Sequence, residues 1–376
     1  MAASLGFAPI LLFSAPLTFL GIVLGGTWVW SGPIVIMAVL LLGDSLWRSD
    51  VSVPQSPQTW PFDLFLFGQV PLSCAALFLL AWCAAPGDLG GLGAFLQRWT
   101  DWPLLQRHHE LSTLNKLGAA WSTGFLLSTN TVVAHEFVHR TRSLASMIAG
   151  RWLLAMVGDS QFSISHVQVH HRWVGTPRDS ATARRGEVLY FFVIRSVLGQ
   201  LRSSFEIERD RLRKSGRTVW APNNRFLTGL AMSLTVLVLF FLAAGWSGVG
   251  LFLVCAAYSK FLFEAVNYIQ HYGLVRSEGA PIESRHSWDC LNLFSSRFLF
   301  NLPRHAHHHL RAGDPFWELK PDPGALALES GYMAAILLAM VPPVWTRMMA
   351  PALRYWDEKL ATREERALIR AAGAAR

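Results

Sequence analysis

The sequence predicts an all-α membrane protein with a histidine-rich site on the cytoplasmic side, and three observations support that prediction. Of its 376 residues, 52% are hydrophobic and only 15% are charged, whereas soluble domains carry roughly 25% charged residues. Apolar runs long enough to cross a bilayer, which takes about 20 residues, recur along the chain. Ten of the 13 histidines fall in four short stretches that follow such runs, at residues 135–139, 166–171, 267–273 and 305–309.

The apolar runs predict about six transmembrane helices within one domain that covers residues 1–376. The expected spans are 7–28, 29–43, 62–85, 114–134, 226–246 and 248–268. The fourth span leads into a cytoplasmic insertion, 135–225, and the sixth is followed by a cytoplasmic tail, 275–376. The first run lacks the basic stretch that opens a cleaved signal peptide, so it is expected to remain as a span.

The distribution of lysine and arginine predicts the orientation in a bacterial-type inner membrane. Fifteen of these residues lie between Arg140 and Arg225, and loops rich in them stay in the cytoplasm. Both termini and the histidine stretches are therefore expected on that side. The net charge of +8 is explained by this topology and by anionic membrane lipid, or by docking of an acidic protein partner. No nucleic-acid partner is expected. The charged stretch Glu206–Lys214 is expected to be a solvated helix face.

The first two histidine stretches have spacings that suit metal binding. His135 and His139 stand at i and i+4, so both can reach one metal from a single helix face. Alone, this His-Glu-x-x-His pattern indicates a zinc hydrolase with Glu136 as its base. The second stretch holds His166, His170 and His171. A helix turns about 100° per residue, so the adjacent pair diverges and can serve two different metals.

Together the stretches predict a dinuclear site. Zinc takes four protein ligands at a structural site and three at a catalytic one, and nine histidines exceed that need. Nitrogen-rich shells with open positions favour iron, so two Fe ions are expected. The predicted ligands are His135, His139, His166, His170, His171, His271, His305, His308 and His309. His307 is the spare member of its stretch.

Polar residues near the ligands are expected to orient them, because metal-bound histidines usually donate their second N–H to a carboxylate or carbonyl. Glu264 lies seven residues before His271, on the same helix face; an ion pair with Lys260 is the alternative role. A rival iron site with carboxylate ligands would use the Glu-x-x-His spacing. The candidates for the outer shell are Glu136, Asp159, Asp179, Glu264 and Asn267.

These stretches resemble those of the integral-membrane, non-haem diiron hydroxylases, which comprise alkane hydroxylases and xylene monooxygenases within the fatty acid desaturase-like group. The resemblance runs from about Thr131 to Trp345, and the segment from Asn267 to Leu274 looks like the family signature. It implies activation of O₂ and insertion of one oxygen atom into a methyl C–H bond. It also implies electrons from NADH through a separate ferredoxin-type flavoprotein reductase or a rubredoxin. The chain itself has no GxGxxG unit and no cysteine cluster.

The substrate implied by the resemblance is a small hydrophobic hydrocarbon, preferably a methyl- or alkyl-substituted arene such as xylene, toluene or p-cymene. Ser165 and Gln270 resemble the methylarene branch, whereas the region Leu293–His309 looks more like alkane hydroxylases. Three alternatives stay open. They are terminal hydroxylation of n-alkanes, a fatty-acid desaturase or hydroxylase of the wider group, and, more distantly, a membrane zinc protease.

Overall fold

The computed structural model describes residues 2–47, 49–53 and 58–374, so positions 1, 48, 54–57 and 375–376 of the predicted domain lie outside the described residues. Within that part of the chain almost all regular structure is helical. Its β-structure is one parallel pair of two-residue strands, Trp288–Asp289 with Leu326–Ala327, in which Trp288 is opposite Leu326. The prediction of an all-α protein is confirmed.

The chain divides into two compact units, which are described separately. Unit 1 consists of Met1–Val39, Pro54–Ser160 and Arg225–Leu262, and unit 2 of Leu40–Val53, Gln161–Asn224 and Phe263–Arg376. Two helices, Ser31–Leu46 and Arg225–His271, contribute residues to both. The other helices of unit 1 are Ala2–Leu5, Ile10–Ser14, Ala15–Leu24, Gly26–Trp30, Trp60–Phe67, Gln69–Ala84, Leu89–Gly91, Leu92–Gln97, Leu104–His109, Thr113–His139 and Leu144–Ala155.

Three segments of the described chain are long and apolar enough to cross a membrane: Gly26–Leu46, Trp60–Ala84 and Arg225–His271. The last is interrupted at Ala244 and Gly245, where Gly245 has a φ of 57°. The rings of Phe240 and Phe252 lie 5.0 Å apart, although twelve residues of straight helix would separate them by about 18 Å. The chain therefore reverses here, between the segments predicted as the fifth and sixth spans. The total of six spans stays a prediction.

The Thr113–His139 helix carries the first histidine pair at its C-terminal end. It begins after Ser112, whose hydroxyl oxygen accepts a hydrogen bond from the Asn115 amide at 3.2 Å and so caps the first turn. A Cβ added at Gly124 would lie 2.7 Å from the carbonyl oxygen of Cys255. The glycine therefore allows two apolar segments of unit 1 to approach closely, as small residues do between membrane helices.

Unit 2 carries the second and fourth histidine stretches on short helices, and His271 at the C-terminal end of the Arg225–His271 helix. Its helices are Phe162–Ser165, His166–His170, His171–Trp173, Leu189–Lys214, Ser284–His286, Leu293–Phe298, His305–Leu310, Phe316–Glu318, Tyr332–Ala339, Pro342–Tyr355, Trp356–Leu360 and Arg363–Ala374. The prediction that Glu206–Lys214 is a solvated helix face is only partly correct, because Glu208 and Leu212 are fully buried. Both lie on the inner side of the Leu189–Lys214 helix.

Buried polar contacts fix the segment that leads into the last histidine stretch. Arg304, which is fully buried, donates hydrogen bonds to the carbonyl oxygens of Leu319 at 2.6 Å and Asp50 at 2.9 Å. Asn292 donates to the carbonyl oxygen of Asp44 at 2.9 Å. These bonds satisfy buried backbone acceptors, and they hold the residues immediately before His305 in place.

Candidate metal centre

Four histidines of unit 2 converge on one buried point. The ligand atoms of His170, His271, His305 and His309 all lie within 4.8 Å of one another. The Nε2 atom of His305 is 2.9 Å from Nε2 of His271 and 3.0 Å from Nε2 of His309. Residues far apart in sequence thus place several imidazole nitrogens around a single small volume.

The short helix His305–Leu310 supplies two of these nitrogens because His305 and His309 stand at i and i+4, with ring centroids 4.5 Å apart. The helix starts against a buried carboxylate, since the Ala306 amide donates to Oδ1 of Asp289 at 2.7 Å. Asp289 also pairs through its backbone with the second strand. Sequence reasoning did not identify Asp289, which fixes the helix that carries the last stretch.

In two of these four histidines, the second ring nitrogen is held by a hydrogen-bond acceptor. Nδ1 of His170 lies 2.8 Å from Oδ2 of Asp179, and Nδ1 of His271 lies 3.1 Å from the carbonyl oxygen of His286. A carbonyl oxygen can only accept, so Nδ1 of His271 carries its proton and Nε2 presents a lone pair. This arrangement, in which an outer acceptor fixes the tautomer and the ring orientation, is typical of metal-binding histidines.

Asp179 is ionised in its buried position. Its carboxylate accepts hydrogen bonds from the Thr182 hydroxyl at 2.7 Å and the Ala181 amide at 3.0 Å, besides its contact with His170. Burial alone would raise the pKa of the carboxyl, but His170 and these hydrogen bonds lower it to about 2. The predicted outer-shell candidate Asp179 is therefore placed beside a predicted ligand.

Three further histidines of unit 2 form a second group. The ligand atoms of His166, His171 and His308 lie within 4.8 Å of one another. Nε2 of His171 is 3.0 Å from Nε2 of His166 and 3.1 Å from Nε2 of His308. A π-helical turn at His166–His170 accounts for the pairing of His166 with His171, because a π-turn aligns i with i+5. His170 and His171 enter different groups, as their separation of about 100° predicts.

In unit 1, His135 and His139 occupy one face of the Thr113–His139 helix, with ring centroids 4.9 Å apart. Between them Glu136 accepts hydrogen bonds from the Arg140 guanidinium, at 3.1 Å from Nε and 3.0 Å from Nη2. Arg140 also donates to Asp63. Glu136 is thus part of an ion-pair network.

The donor sets of unit 2 fit metal ions. Metal–imidazole bonds are about 2.1 Å long, so two nitrogens at 90° around one ion stand about 3.0 Å apart, and at a tetrahedral angle about 3.4 Å. The observed nitrogen pairs at 2.9 to 3.1 Å are closer to the 90° arrangement of octahedral or square-planar ions than to the tetrahedral arrangement typical of zinc. Burial, followed by the neighbouring imidazoles, lowers the pKa of His309 well below its usual range. The imidazole is therefore neutral, as a ligand must be.

Comparison with known proteins identifies the family. The family model described as fatty acid desaturase matches residues 112–322. The chain belongs to the fatty acid desaturase family. It is 33% identical over 362 residues to the xylene/toluene monooxygenase hydroxylase component of Pseudomonas putida, covering 94% of this chain and 90% of that protein. It is 31% identical over 337 residues to alkane 1-monooxygenase 1 of Pseudomonas aeruginosa, covering 87% of this chain and 83% of that one.

A third relative, the alkane 1-monooxygenase of Acinetobacter baylyi, is 34% identical over 243 residues, which is 63% of this chain and 59% of that protein. The prediction that this desaturase-family protein is an oxidoreductase and a membrane monooxygenase is confirmed. Its histidine groups are able to hold metal ions.

Two of the remaining outer-shell candidates, Glu264 and Asp159, contact other polar side chains. Oε1 of Glu264 accepts a hydrogen bond from the Gln200 amide at 2.8 Å. Asp159 forms an ion pair at 2.8 Å with Lys260, the lysine that was also the alternative partner of Glu264. Asn267 is buried. Gln200 was not identified from the sequence, although polar residues recur at every fourth position from Ser196 to Glu208 and could have indicated it.

Proposed function

We propose that this protein is the hydroxylase component of a monooxygenase that uses O₂ and two histidine-bound irons to hydroxylate a methyl group of a small hydrophobic substrate. The observation that carries the proposal is the division of adjacent His170 and His171 between two groups of converging imidazole nitrogens. The proposed ligands are His135, His139, His166, His170, His171, His271, His305, His308 and His309. The names of the relatives support the reaction type.

The protein's own residues hold and orient the ligands. When bound, iron would supply the chemistry that activates O₂ for insertion of one oxygen atom into a C–H bond. Asp179 fixes the ring of His170 and the His286 carbonyl fixes that of His271. Burial of the four-histidine group excludes bulk water. A preorganised, dry site of this kind strengthens electrostatic interactions with the reacting groups.

A separate NADH-dependent electron-transfer protein, either a ferredoxin-type flavoprotein reductase or a rubredoxin, is proposed as the reductant. We place its docking surface on the cytoplasmic side of a bacterial inner membrane, at the C-terminal end of the Leu189–Lys214 helix. There Arg213 and Lys214 are exposed, and basic groups attract an acidic partner over distances of about 10 Å at about 0.1 M salt and over longer distances at lower salt.

The docking proposal is tested by charge reversal. Arg213→Glu with Lys214→Glu should lower turnover at limiting reductase and weaken its dependence on ionic strength. Arg98→Glu is the matched control, because Arg98 is exposed in a loop predicted to face the opposite side of the membrane. Equal loss from both changes would contradict the proposed surface and orientation, whereas turnover unaffected by salt in the wild type would contradict steered docking.

The preferred substrate is proposed to be a methyl-substituted arene. Support comes from Ser165 and Gln270, the two positions that resemble the methylarene branch, and from the similarity to the xylene/toluene component. In unit 2, Ser165 lines a small cavity beside His166 and His170, and Gln270 donates to the Tyr332 hydroxyl at 3.1 Å. Both positions thus lie close to predicted ligands. Terminal hydroxylation of n-alkanes is the second candidate, favoured by the similarity to alkane 1-monooxygenases.

A mixed-substrate experiment decides between these candidates. Cells that express the chain with its reductase receive p-cymene, xylenes and octane together, and the products are separated by gas chromatography. Benzylic alcohols should dominate, and cells with His309→Ala should form none. Octanol as the main product with the arenes unconverted would overturn the arene preference. Unsaturated products from fatty acyl chains would instead indicate a desaturase.

A further inference from the structure

A row of polar side chains lies along the buried face of the long helix in unit 2. Ser196, Gln200, Ser204 and Glu208 stand at every fourth position of Leu189–Lys214, and each is at most 3% exposed. We call these four residues the polar stripe. Burying polar groups costs free energy unless they are hydrogen-bonded, and apolar residues would cover the same face without that cost. The stripe therefore calls for a functional explanation.

The inner end of the polar stripe reaches the histidine groups. The Gln200 amide donates to the Ser196 hydroxyl at 2.9 Å and to Glu264 at 2.8 Å. Gln200 also lines a cavity together with His166, His170 and Asp179. The cavity has room for about one water molecule, and its polar lining provides the partners that a buried water needs.

The outer end of the polar stripe meets solvent through an ion pair. The carboxylate of Glu208 accepts hydrogen bonds from Nε of Arg211 at 3.1 Å and from Nη2 at 2.7 Å. The Arg211 side chain is 35% exposed, and it also donates to the carbonyl oxygen of Asn223 at 2.8 Å. Water can therefore reach the guanidinium, while the carboxylate beside it is buried.

The spacing within the polar stripe suits a chain of hydrogen bonds. Four residues of α-helix advance about 6 Å, which two hydrogen bonds of about 2.8 Å through one bridging water would span. At the centre, the Ser204 hydroxyl donates to the carbonyl oxygen of Gln161 at 3.1 Å. A hydroxyl also accepts through two lone pairs, so Ser204 is able to receive a proton while passing on its own.

We propose that the polar stripe, with bridging waters, relays protons from the Glu208–Arg211 end to the cavity beside His166 and His170. The inference rests on the proposed hydroxylation, R–CH₃ + O₂ + 2e⁻ + 2H⁺ → R–CH₂OH + H₂O, in which the separate electron-transfer protein supplies both electrons. One oxygen atom enters the C–H bond and the other leaves as water. Both protons must therefore reach a site whose ligands are buried, and the stripe leads there from the surface.

An isosteric pair of variants at Ser204 tests the relay. Threonine and valine have the same shape, so Ser204→Thr and Ser204→Val differ only in whether a hydroxyl is present. We expect Ser204→Val to lower turnover about tenfold and to raise the solvent deuterium isotope effect about twofold, because proton transfer becomes limiting. Ser204→Thr should stay close to wild type, and both should keep the wild-type metal content.

The control variant lies on the same helix, at the position next to Ser204. Ser203→Val introduces the same valine next to the stripe, where the hydroxyl bonds to the Gln200 carbonyl oxygen, and it should leave turnover unchanged. Wild-type turnover and isotope effect in Ser204→Val would overturn the relay. If that variant does not fold, Glu208→Gln decides, since it keeps the shape and removes the carboxylate; an unchanged isotope effect in that variant would overturn the relay.

A second readout does not depend on the reaction. X-ray radiolysis of the full-length protein labels side chains that contact water, with detection by mass spectrometry. Phe162 lines the cavity although it is only 2% exposed, and we expect it to be labelled in the wild type and protected in Gln200→Leu. Phe137, which is buried in unit 1, is the unlabelled control. Equal protection of both rings in the wild type would overturn the relay, whereas labelled Phe162 in a protein without hydroxylase activity would overturn only the proposed function.

Discussion

Replacing Asp179 with asparagine should selectively weaken the metal position formed by His170, His271, His305 and His309. The carboxylate touches only one of these ligands, with Oδ2 2.8 Å from Nδ1 of His170. Asparagine keeps the size of the side chain and retains an oxygen that can accept this bond. The change therefore removes the negative charge with little effect on packing.

The size of the effect follows from the pKa of Asp179. Burial alone would raise this pKa, but His170 and the hydrogen bonds lower it from 3.8 to about 2, a net shift on the order of 2 kcal/mol in favour of the ionised form. Because burial opposes the shift, the interactions of the carboxylate with its partners amount to at least roughly this value. It agrees with the roughly 10–100-fold loss of metal affinity or activity that is typical when an outer-shell partner is removed.

The assay is a competition between protein and a chelator, followed by elemental analysis. On the proposed count of two irons, Asp179→Asn should release one iron at a chelator concentration roughly 10–100-fold lower than the wild type needs, while the second iron stays bound. Asp101→Asn, at an exposed position of unit 1, is the control for the chemical change alone. Equal chelator sensitivity of the wild type and Asp179→Asn would contradict this role of Asp179, and so would simultaneous loss of both irons.

Three further predictions concern single side chains. His309→Ala should abolish turnover and lower the iron content, whereas His307→Ala, at the half-buried spare position, should retain both; equal loss would contradict the ligand assignment. Burial would raise the pKa of Glu365, but hydrogen bonds from His286, Thr362 and Arg285 lower it from 4.5 to about 2. The ionised carboxylate therefore stabilises the fold above pH 4.5, and this stabilisation is lost as the pH falls through about 2. Glu365→Gln should therefore unfold more easily than wild type at pH 7, and the difference in denaturation midpoint should shrink below pH 4.5; a constant difference would contradict it. Gly199→Ala should lower the free energy of unfolding by about 1–3 kcal/mol, because the added Cβ would clash with the Ser180 side chain. In the control Gly250→Ala the added Cβ meets no atom within 4 Å, so the thermal unfolding temperature should not fall.

The sequence predicted those features that depend on local spacing. The divergence of His170 and His171 follows from helix geometry alone, and so does the pairing of His305 with His309. The need for an outer acceptor follows from imidazole chemistry, which is why Asp179 was a candidate before its contact with His170 was known.

The features that depend on tertiary contacts could not be predicted from the sequence. The π-helical turn that pairs His166 with His171 is a backbone property without a distinct residue signature. Lys260 contacts Asp159, 101 positions away along the chain, and hydrophobic periodicity carries no information about such a partner. Glu208 lies in a charge-dense stretch that favoured a solvated face, but it is buried, and its carboxylate is paired with Arg211.

The metal content of the purified protein is the most direct test of the proposed dinuclear iron site. The full-length chain in detergent, purified without chelators, is analysed by mass spectrometry for iron and zinc, and turnover is measured on the same sample. We expect close to two iron atoms per chain, with turnover that rises in proportion to iron. A preparation with full activity that holds one zinc and no iron would contradict it.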